Sequence, residues 1–280
     1  MLAAAAQGLL AGGGPWRIAW CAGAGVIGTS QRQLDQEIDV LSGFLDELRR
    51  SVLPGTGSTG TGSMRTRSSG ALFVASSAGG VYAGSAEPPF TELTLARSIS
   101  PYGHAKLAAE QLGAEFCRQS GVPVLIGRLA NLYGPGQDLS KPQGLISQLC
   151  RSHLTRSPVS IYVSLDTARD YLYVDDAARM VVAALERAES AGGLHTKILA
   201  TGQPTSVAAI VAELRRVTKR RPQIVLGASP NARYQTRDLR FRSVVWPEID
   251  TAVRTTLAAG MAATLESLGQ DLRRGHLARR

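Results

Sequence analysis

The chain is short of cysteine, aromatics and acidic residues, and it has no long hydrophobic run. Each shortage excludes something. The three cysteines, Cys21, Cys117 and Cys150, are odd in number and have no metal-ligand spacing, so neither a disulfide framework nor a metal site is expected. They read as buried thiols in a reducing compartment, and the expected location is cytoplasmic. No apolar run reaches the roughly 20 residues of a membrane-spanning helix, so no membrane partner is expected. The apolar start MLAAAAQGLLAGGGPW has no basic region ahead of it and does not read as a secretory leader. Aromatics make up 5% of the chain, and 22 acids face 31 basic residues for a formal charge of +9. The basic residues are mostly arginine and are scattered, apart from RRVTKRRP at 215–222 and the C-terminal tail. A nucleic-acid reader would want a basic stripe with interleaved aromatics, so nucleic acid is not an expected partner. An anionic small molecule suits the charge better.

What the chain does have is 280 residues at 44% hydrophobic composition. That is enough for one large α/β domain, or for one with a small appended lobe. RIAWCAGAGVIG (17–28) reads as a short buried strand and a glycine turn. In 29–50, Leu34, Ile38, Leu41, Leu45 and Leu48 recur at helical spacing. ALFVASS (71–77) is a continuous apolar run suited to a central parallel strand, and AGGVYAGS after it reads as a glycine-rich loop. A helix follows over 100–121, ended by Gly121. Then come a strand and turn over 122–136, a helix over 143–158, and an extended entry to a helix over 169–188. A strand over 193–203, a helix over 206–220, a short strand over 222–227 and a helix from Ile249 complete the chain. Strands alternating with helices predict a parallel sheet covered on both faces. Ligands of such sheets bind at the carboxyl ends of strands, where Ser76, Ser77 and Asn131 fall. Residues 54–70, PGTGSTGTGSMRTRSSG, read as a flexible surface loop without chemistry.

The chemistry-bearing stretch is 72–106. Lys106 follows Tyr102 at i+4, so on a helix the two share a face. An ammonium beside a phenol favours the phenolate and lowers the tyrosine pKa from about 10. A serine hydroxyl nearby can bind the oxygen whose proton the phenol takes or returns. This is proton-transfer machinery for alcohol–carbonyl chemistry.

Four segments then agree with one family: SSAGGVY (76–82), SPYGHAK (100–106), RLANLYGPG (128–136) and RDYLYVDDAA (169–178). In that order, they make the chain resemble the extended short-chain dehydrogenase/reductases of the NAD-dependent epimerase/dehydratase type, which include nucleotide-sugar epimerases. The resemblance covers roughly 17–265. It implies a Rossmann-like parallel sheet with a small C-terminal substrate lobe. The implied organisation is an extension (1–16), a catalytic domain (17–200), a mainly substrate-binding lobe (201–265) and a basic tail (266–280). It implies Tyr102 as general acid/base, Lys106 as the residue that lowers its pKa and bonds the nicotinamide ribose, and Ser77 or Ser76 as the hydroxyl that orients the substrate oxygen. It further implies NAD or NADP as cofactor, contacted by Ala22, Gly23, Leu129, Tyr102 and Lys106. Asn131 and Arg169 are implied to contact a nucleotide-linked sugar, Arg169 at its phosphates, and a homodimer is implied. Asp175 and Asp176 read as helix anchors. SSAGGVY lacks the acid pair that a dehydratase would want after the strand, so epimerisation or simple oxidoreduction is expected.

Gly23-Ala24-Gly25-Val26-Ile27-Gly28 is formally the G-x-G-x-x-G of a dinucleotide fingerprint. About fifty residues separate it from Ser76, too few for the remaining strand–helix units of a first Rossmann half. No acid ends a second strand some twenty residues on. The segment resembles the family's fourth-strand region better, with Asp39, Val40, Leu41 and Gly43 in the helix behind it. The expectation is therefore a chain without the usual first three strand–helix units and a glycine motif that does not grip pyrophosphate. The alternatives are an aberrant but real fingerprint, or a non-catalytic α/β fragment that keeps the outline of the site.

Overall fold

A computed structural model describes residues 14–53, 70–141, 143–228 and 236–275, with residues 8, 231 and 234. The expected loop at 54–70, save Gly70, which opens a strand, lies outside the described residues, as do most of the N-terminal extension and the end of the basic tail.

Among the described residues the main sheet has four parallel strands: β1 (Trp16–Trp20), β2 (Gly70–Ser77), β3 (Val124–Leu129) and β7 (Leu194–Leu199), in that order across the sheet. The even residues Leu72 and Val74 of β2 pack with Leu41, Phe44, Ala109 and Phe116. Those partners belong to α1 (Gln31–Val52) and α3 (Pro101–Ser120). The odd residues Ala71 and Phe73 join Ala177, Met180 and Ala184 of α5 (Val174–Ala191) on the opposite face. An apolar run that is hydrophobic at every position thus feeds two cores, because strand side chains alternate faces. Gly127 on β3 is needed where Phe73 lies across it. A Cβ there would stand 2.2 Å from the Phe73 ring.

α3 begins where the sequence reading put it. Ser100 caps it by accepting the Gly103 N–H at 3.0 Å, and Pro101 takes the first turn. Gly121 ends it in the left-handed conformation at φ 70. The expected glycine loop after β2 is instead a one-turn helix, α2 (Ala78–Tyr82). Ser77 Oγ accepts the Gly80 N–H at 3.2 Å and so caps a segment whose glycines suggested loop.

The expected strand over 122–136 is two strands. After Ala130 the chain leaves the main sheet, and β4 (Asn131–Tyr133) pairs in parallel with β6 (Ala168–Tyr173). β6 is also flanked by β8 (Pro204–Ser206) and β10 (Asp238–Leu239). A further parallel pair joins β5 (Val159–Ile161) to β9 (Ile224–Leu226). A third apolar cluster unites Tyr133, Ile146, Leu149, Ile210, Leu214, Met261 and Leu268. It is built largely by α4 (Leu145–Thr155), α6 (Val207–Thr218) and α7 (Leu257–Arg273). The basic tail expected from 266 is, to Arg273, the last turns of α7.

Two buried charges tie the C-terminal segments to the main sheet. Lys197 on β7 donates to Ser243 Oγ, Val245 O and Asp250 Oδ1 at 2.7–2.8 Å. Asp176, at the start of α5, accepts from the Thr255 N–H and hydroxyl and pairs with Arg179. Asp176 is therefore an anchor, as the sequence suggests. Cys117 and Cys150 are buried as expected, but Cys21 is exposed, because it follows the end of edge strand β1. No described helix is long and apolar enough to cross a membrane.

Candidate active site

A cleft of about 1,030 Å³ opens at the carboxyl ends of β2 and β3. Its wall includes Gly23, Ser77, Tyr102, Lys106, Leu129, Asn131 and Arg169. Eight of the nine residues marked by the sequence, Ser76 included, reach this wall; the ninth, Ala22, precedes it as an exposed residue.

The second glycine turn sets the geometry of the centre. A Cβ on Gly80 would stand 3.0 Å from Tyr102 Cε1 and 3.3 Å from Ser77 Oγ, so both side chains converge over that residue. The Ser77 hydroxyl is close enough to the Tyr102 phenol to favour its ionised form. Gly103 makes the approach possible: a Cβ there would come within 2.2 Å of the Gly80 carbonyl oxygen. Lys106 lies one turn further along α3, its ammonium 5.6 Å from the centre of the Tyr102 ring.

The choice between the two serines is decided by strand alternation. Ser76 shares the face of Leu72 and Val74 and points to α3, where its hydroxyl donates to Glu110 Oε1 at 2.6 Å. It touches the cleft wall but its hydroxyl is committed elsewhere. Ser77 is the serine that meets Tyr102.

The expectation that Lys106 lowers the Tyr102 pKa is not met in this arrangement. Burial pushes the Tyr102 phenol above its ordinary value, the bond from Ser77 pulls the other way, and the charge of Glu37 adds to the rise. Burial also pushes the Lys106 ammonium down, opposed by Glu37 and Cys21. With both groups deep in the cleft, desolvation outweighs their neighbours.

Behind the centre lies a network that the sequence reading missed. Arg128 on β3 holds Glu110 of α3 through Nε at 2.9 Å and Nη2 at 2.6 Å. Its Nη1 donates to the Tyr82 hydroxyl at 2.5 Å, and that hydroxyl donates to Thr91 O at 2.9 Å. The ion-pair side chains are only 10% and 11% exposed. With Tyr82 and Ser76, this two-pronged pair joins β2, α2, α3 and β3, among them the elements that carry Ser77, Tyr102, Lys106 and Leu129. The available signal was Glu110 four residues after Lys106, on the same helix face.

Arg169 is buried along the cleft and donates to the carbonyls of Ala168 at 2.8 Å and Arg237 at 3.3 Å. Burial pushes its pKa down. Its neighbour Asp170 accepts the Thr201 N–H at 2.9 Å. Arg237 pairs with Asp166, and Arg240 with Asp238, outside the cleft wall.

The three central donors of the glycine motif at 23–28 are filled from within. Glu37 Oε1 accepts the Ala24 N–H at 2.6 Å and the Gly25 N–H at 2.7 Å. The Val26 N–H donates to Thr29 Oγ1 at 2.9 Å. Ser30 caps α1 by accepting from the Gln33 N–H. A dinucleotide's pyrophosphate does not fit this turn, whereas its nicotinamide end is a fit for the wall around Tyr102 and Lys106. Among the described residues no cluster of three or more His, Cys, Asp or Glu could hold a metal ion.

Comparison with known proteins places a family likeness on this geometry. The model of the NAD dependent epimerase/dehydratase family matches residues 62–198, just under half of the chain. Among curated relatives, an uncharacterized UDP-glucose epimerase of Bacillus subtilis (strain 168) is 28% identical over 149 residues, 53% of this chain and 45% of the relative. The dTDP-L-rhamnose 4-epimerase of Burkholderia thailandensis is 32% identical over 43% of this chain and 33% of its own length. The chain thus spans less than half the length of these curated relatives. Among solved structures, MoeE5 in complex with UDP-glucose and NAD superposes with a TM-score of 0.65 at 27% identity, over 83% of this chain and 70% of that one. The family's Rossmann-like sheet with helices on both sides is the fold found here.

Proposed function

We propose that this chain carries the catalytic centre of an NAD(P)-dependent epimerase or oxidoreductase acting on a nucleotide-linked sugar. The observation that carries the proposal is the convergence of Ser77 and Tyr102 over Gly80, with Lys106 one turn away, in a cleft at the strand ends. That the family match spans all three residues supports it, as does a similar protein solved with UDP-glucose and NAD. The nicotinamide cofactor, when bound, supplies the hydride acceptor and donor.

The chain's own residues do the rest. The Tyr102 oxygen takes the proton of a sugar hydroxyl as that carbon is oxidised, and returns one to the carbonyl oxygen on reduction. Ser77 Oγ hydrogen-bonds the same oxygen and fixes its position. The Lys106 ammonium holds ribose hydroxyls and favours the phenolate once a ligand brings the three together. Asn131 binds the sugar, and Arg169 sets its guanidinium against the diphosphate. Leu129 and Gly23 are apolar or bare wall beside the nicotinamide. Epimerisation is preferred to dehydration because the turn after β2 carries no acid pair.

The test is calorimetric binding of NAD and NADP to the whole chain, followed by turnover of UDP-glucose. Binding with interconversion at a sugar carbon is the expected result. The Glu37-filled glycine turn favours one second reading, a protein that binds a nucleotide sugar without turning it over. UDP-glucose binding without measurable NAD or NADP binding would establish that reading and remove the first.

A further inference from the structure

We infer that Glu37 closes the glycine turn to phosphate, so that this chain's own hold on a dinucleotide lies at the Tyr102–Lys106 end of the cleft. The inference takes its ligand class from the proposed function but does not depend on turnover.

Consecutive backbone N–H groups in a glycine turn make a concave site that attracts an anion, and a helix start behind it adds to the attraction. Here the anion is already present. One oxygen of the Glu37 carboxylate takes two successive amides, those of Ala24 and Gly25. Glu37 reaches back from the second turn of α1, 13 and 12 residues further along the chain. Its other oxygen lies 3.0 Å from the point where a Gly23 Cβ would stand and 3.1 Å from that of Gly25. Leu34 Cδ2 comes within 2.7 Å of the same Gly25 point. Carboxylate and leucine together fill the space between turn and helix. The next amide, that of Val26, has Thr29 Oγ1 as its acceptor, and Ser30 caps the helix start.

The glycines therefore serve a different purpose from a phosphate cradle. Gly23 adopts φ +127, and both Gly23 and Gly25 lie against the clamp where a side chain would collide. They let the turn pack flat on α1 and form one wall of the cleft. A phosphate brought to these amides would meet a carboxylate in its place, and like charges at that range repel.

The test follows the backbone amides of Ala24 and Gly25 by NMR in the whole chain while inorganic pyrophosphate is added. In the unaltered protein both resonances are expected to stay in place. In Glu37→Ala both should move upfield without ligand, as the bonds to the carboxylate are lost. Pyrophosphate should then shift them saturably. Glu37→Gln keeps the shape and removes the charge, and is read if the alanine variant loses the fold. Pyrophosphate should compete for its amides at least about tenfold better than in the unaltered protein. Pyrophosphate-dependent shifts of both amides in the unaltered protein would overturn the inference. So would amides indifferent to the loss of Glu37. Saturable shifts on adding NAD to an active, unaltered enzyme, confined to these two amides, would defeat the inference and leave the proposed function standing.

Discussion

Two glycine-rich turns follow parallel strands in this protein, one at 22–28 after β1 and one at 77–80 after β2. In sequence the first has the more suggestive spacing, and in structure only the second builds a site. The difference lies in what receives the backbone N–H groups. In the first turn a carboxylate from a distant helix position takes two of them, and the turn is closed. In the second, the serine that caps the short helix also faces Tyr102, and the bare Cα of Gly80 leaves room for that ring above it. Glycine supplies space and backbone freedom, and the neighbouring acceptor decides whether that space becomes a site.

Several changes would break or sharpen this contrast. The largest effect is expected from Tyr102→Phe, which should lower turnover by about 10²–10⁴-fold while calorimetric NAD affinity stays within a factor of a few. Because burial raises the phenol above 10.0 before ligand binds, proton abstraction should still be gaining rate as pH rises through the neutral range. A profile that falls from pH 7 to 9 would contradict Tyr102 as base. Next, Arg128→Met leaves Glu110 buried without its partner. It should cost about 3–5 kcal/mol in denaturant unfolding, and the same experiment on the Arg128→Met, Glu110→Leu pair should recover a large part of that loss. Third, Ser77→Ala should reduce turnover by at least about tenfold, one hydrogen bond's worth at the reacting oxygen. Ser76→Ala should instead cost about 1 kcal/mol of stability and little turnover. Equal kinetic effects would mean that the alternation of faces along β2 does not separate their roles. Fourth, Gly80→Ala should push Tyr102 aside and reduce turnover, whereas Gly23→Ala should lower stability by about 1 kcal/mol or more with NAD binding little changed. The smallest effect is chemical. A thiol reagent near neutral pH should label exposed Cys21 first and leave Cys150 unlabelled, since burial pushes the Cys150 thiol up to about 12.

Much of the site was legible because its residues sit at fixed intervals within single elements. Tyr102 and Lys106 share one face of α3 by i+4 spacing, and Ser77, Asn131 and Arg169 fall at strand ends or starts. The helix end at Gly121 and the strand-to-helix passage at 168–174 were legible for the same local reason. What was hidden depends on contacts between distant segments. Glu37 reaches a turn 12 residues behind it, and nothing local to either marks the pairing. Arg128 and Glu110 meet only once β3 and α3 are packed. The departure of β4 from the main sheet is set by its pairing with β6, some forty residues on. The preference for Ser77 over Ser76 was latent in the sequence: in a strand that feeds two cores, Leu72, Val74 and Ser76 share one side. The alternation was masked because the run is apolar at every position.

That continuous run has a consequence for how the protein can change. In β2, position fixes three assignments at once: which residues fill the core under α3, which fill the core under α5, and which serine meets the tyrosine. Adding or removing one residue upstream within the strand would exchange the contents of the two cores and turn the reactive hydroxyl toward the scaffold. Among descendants of this sequence the eight positions of β2 should therefore keep their count even as their side chains drift.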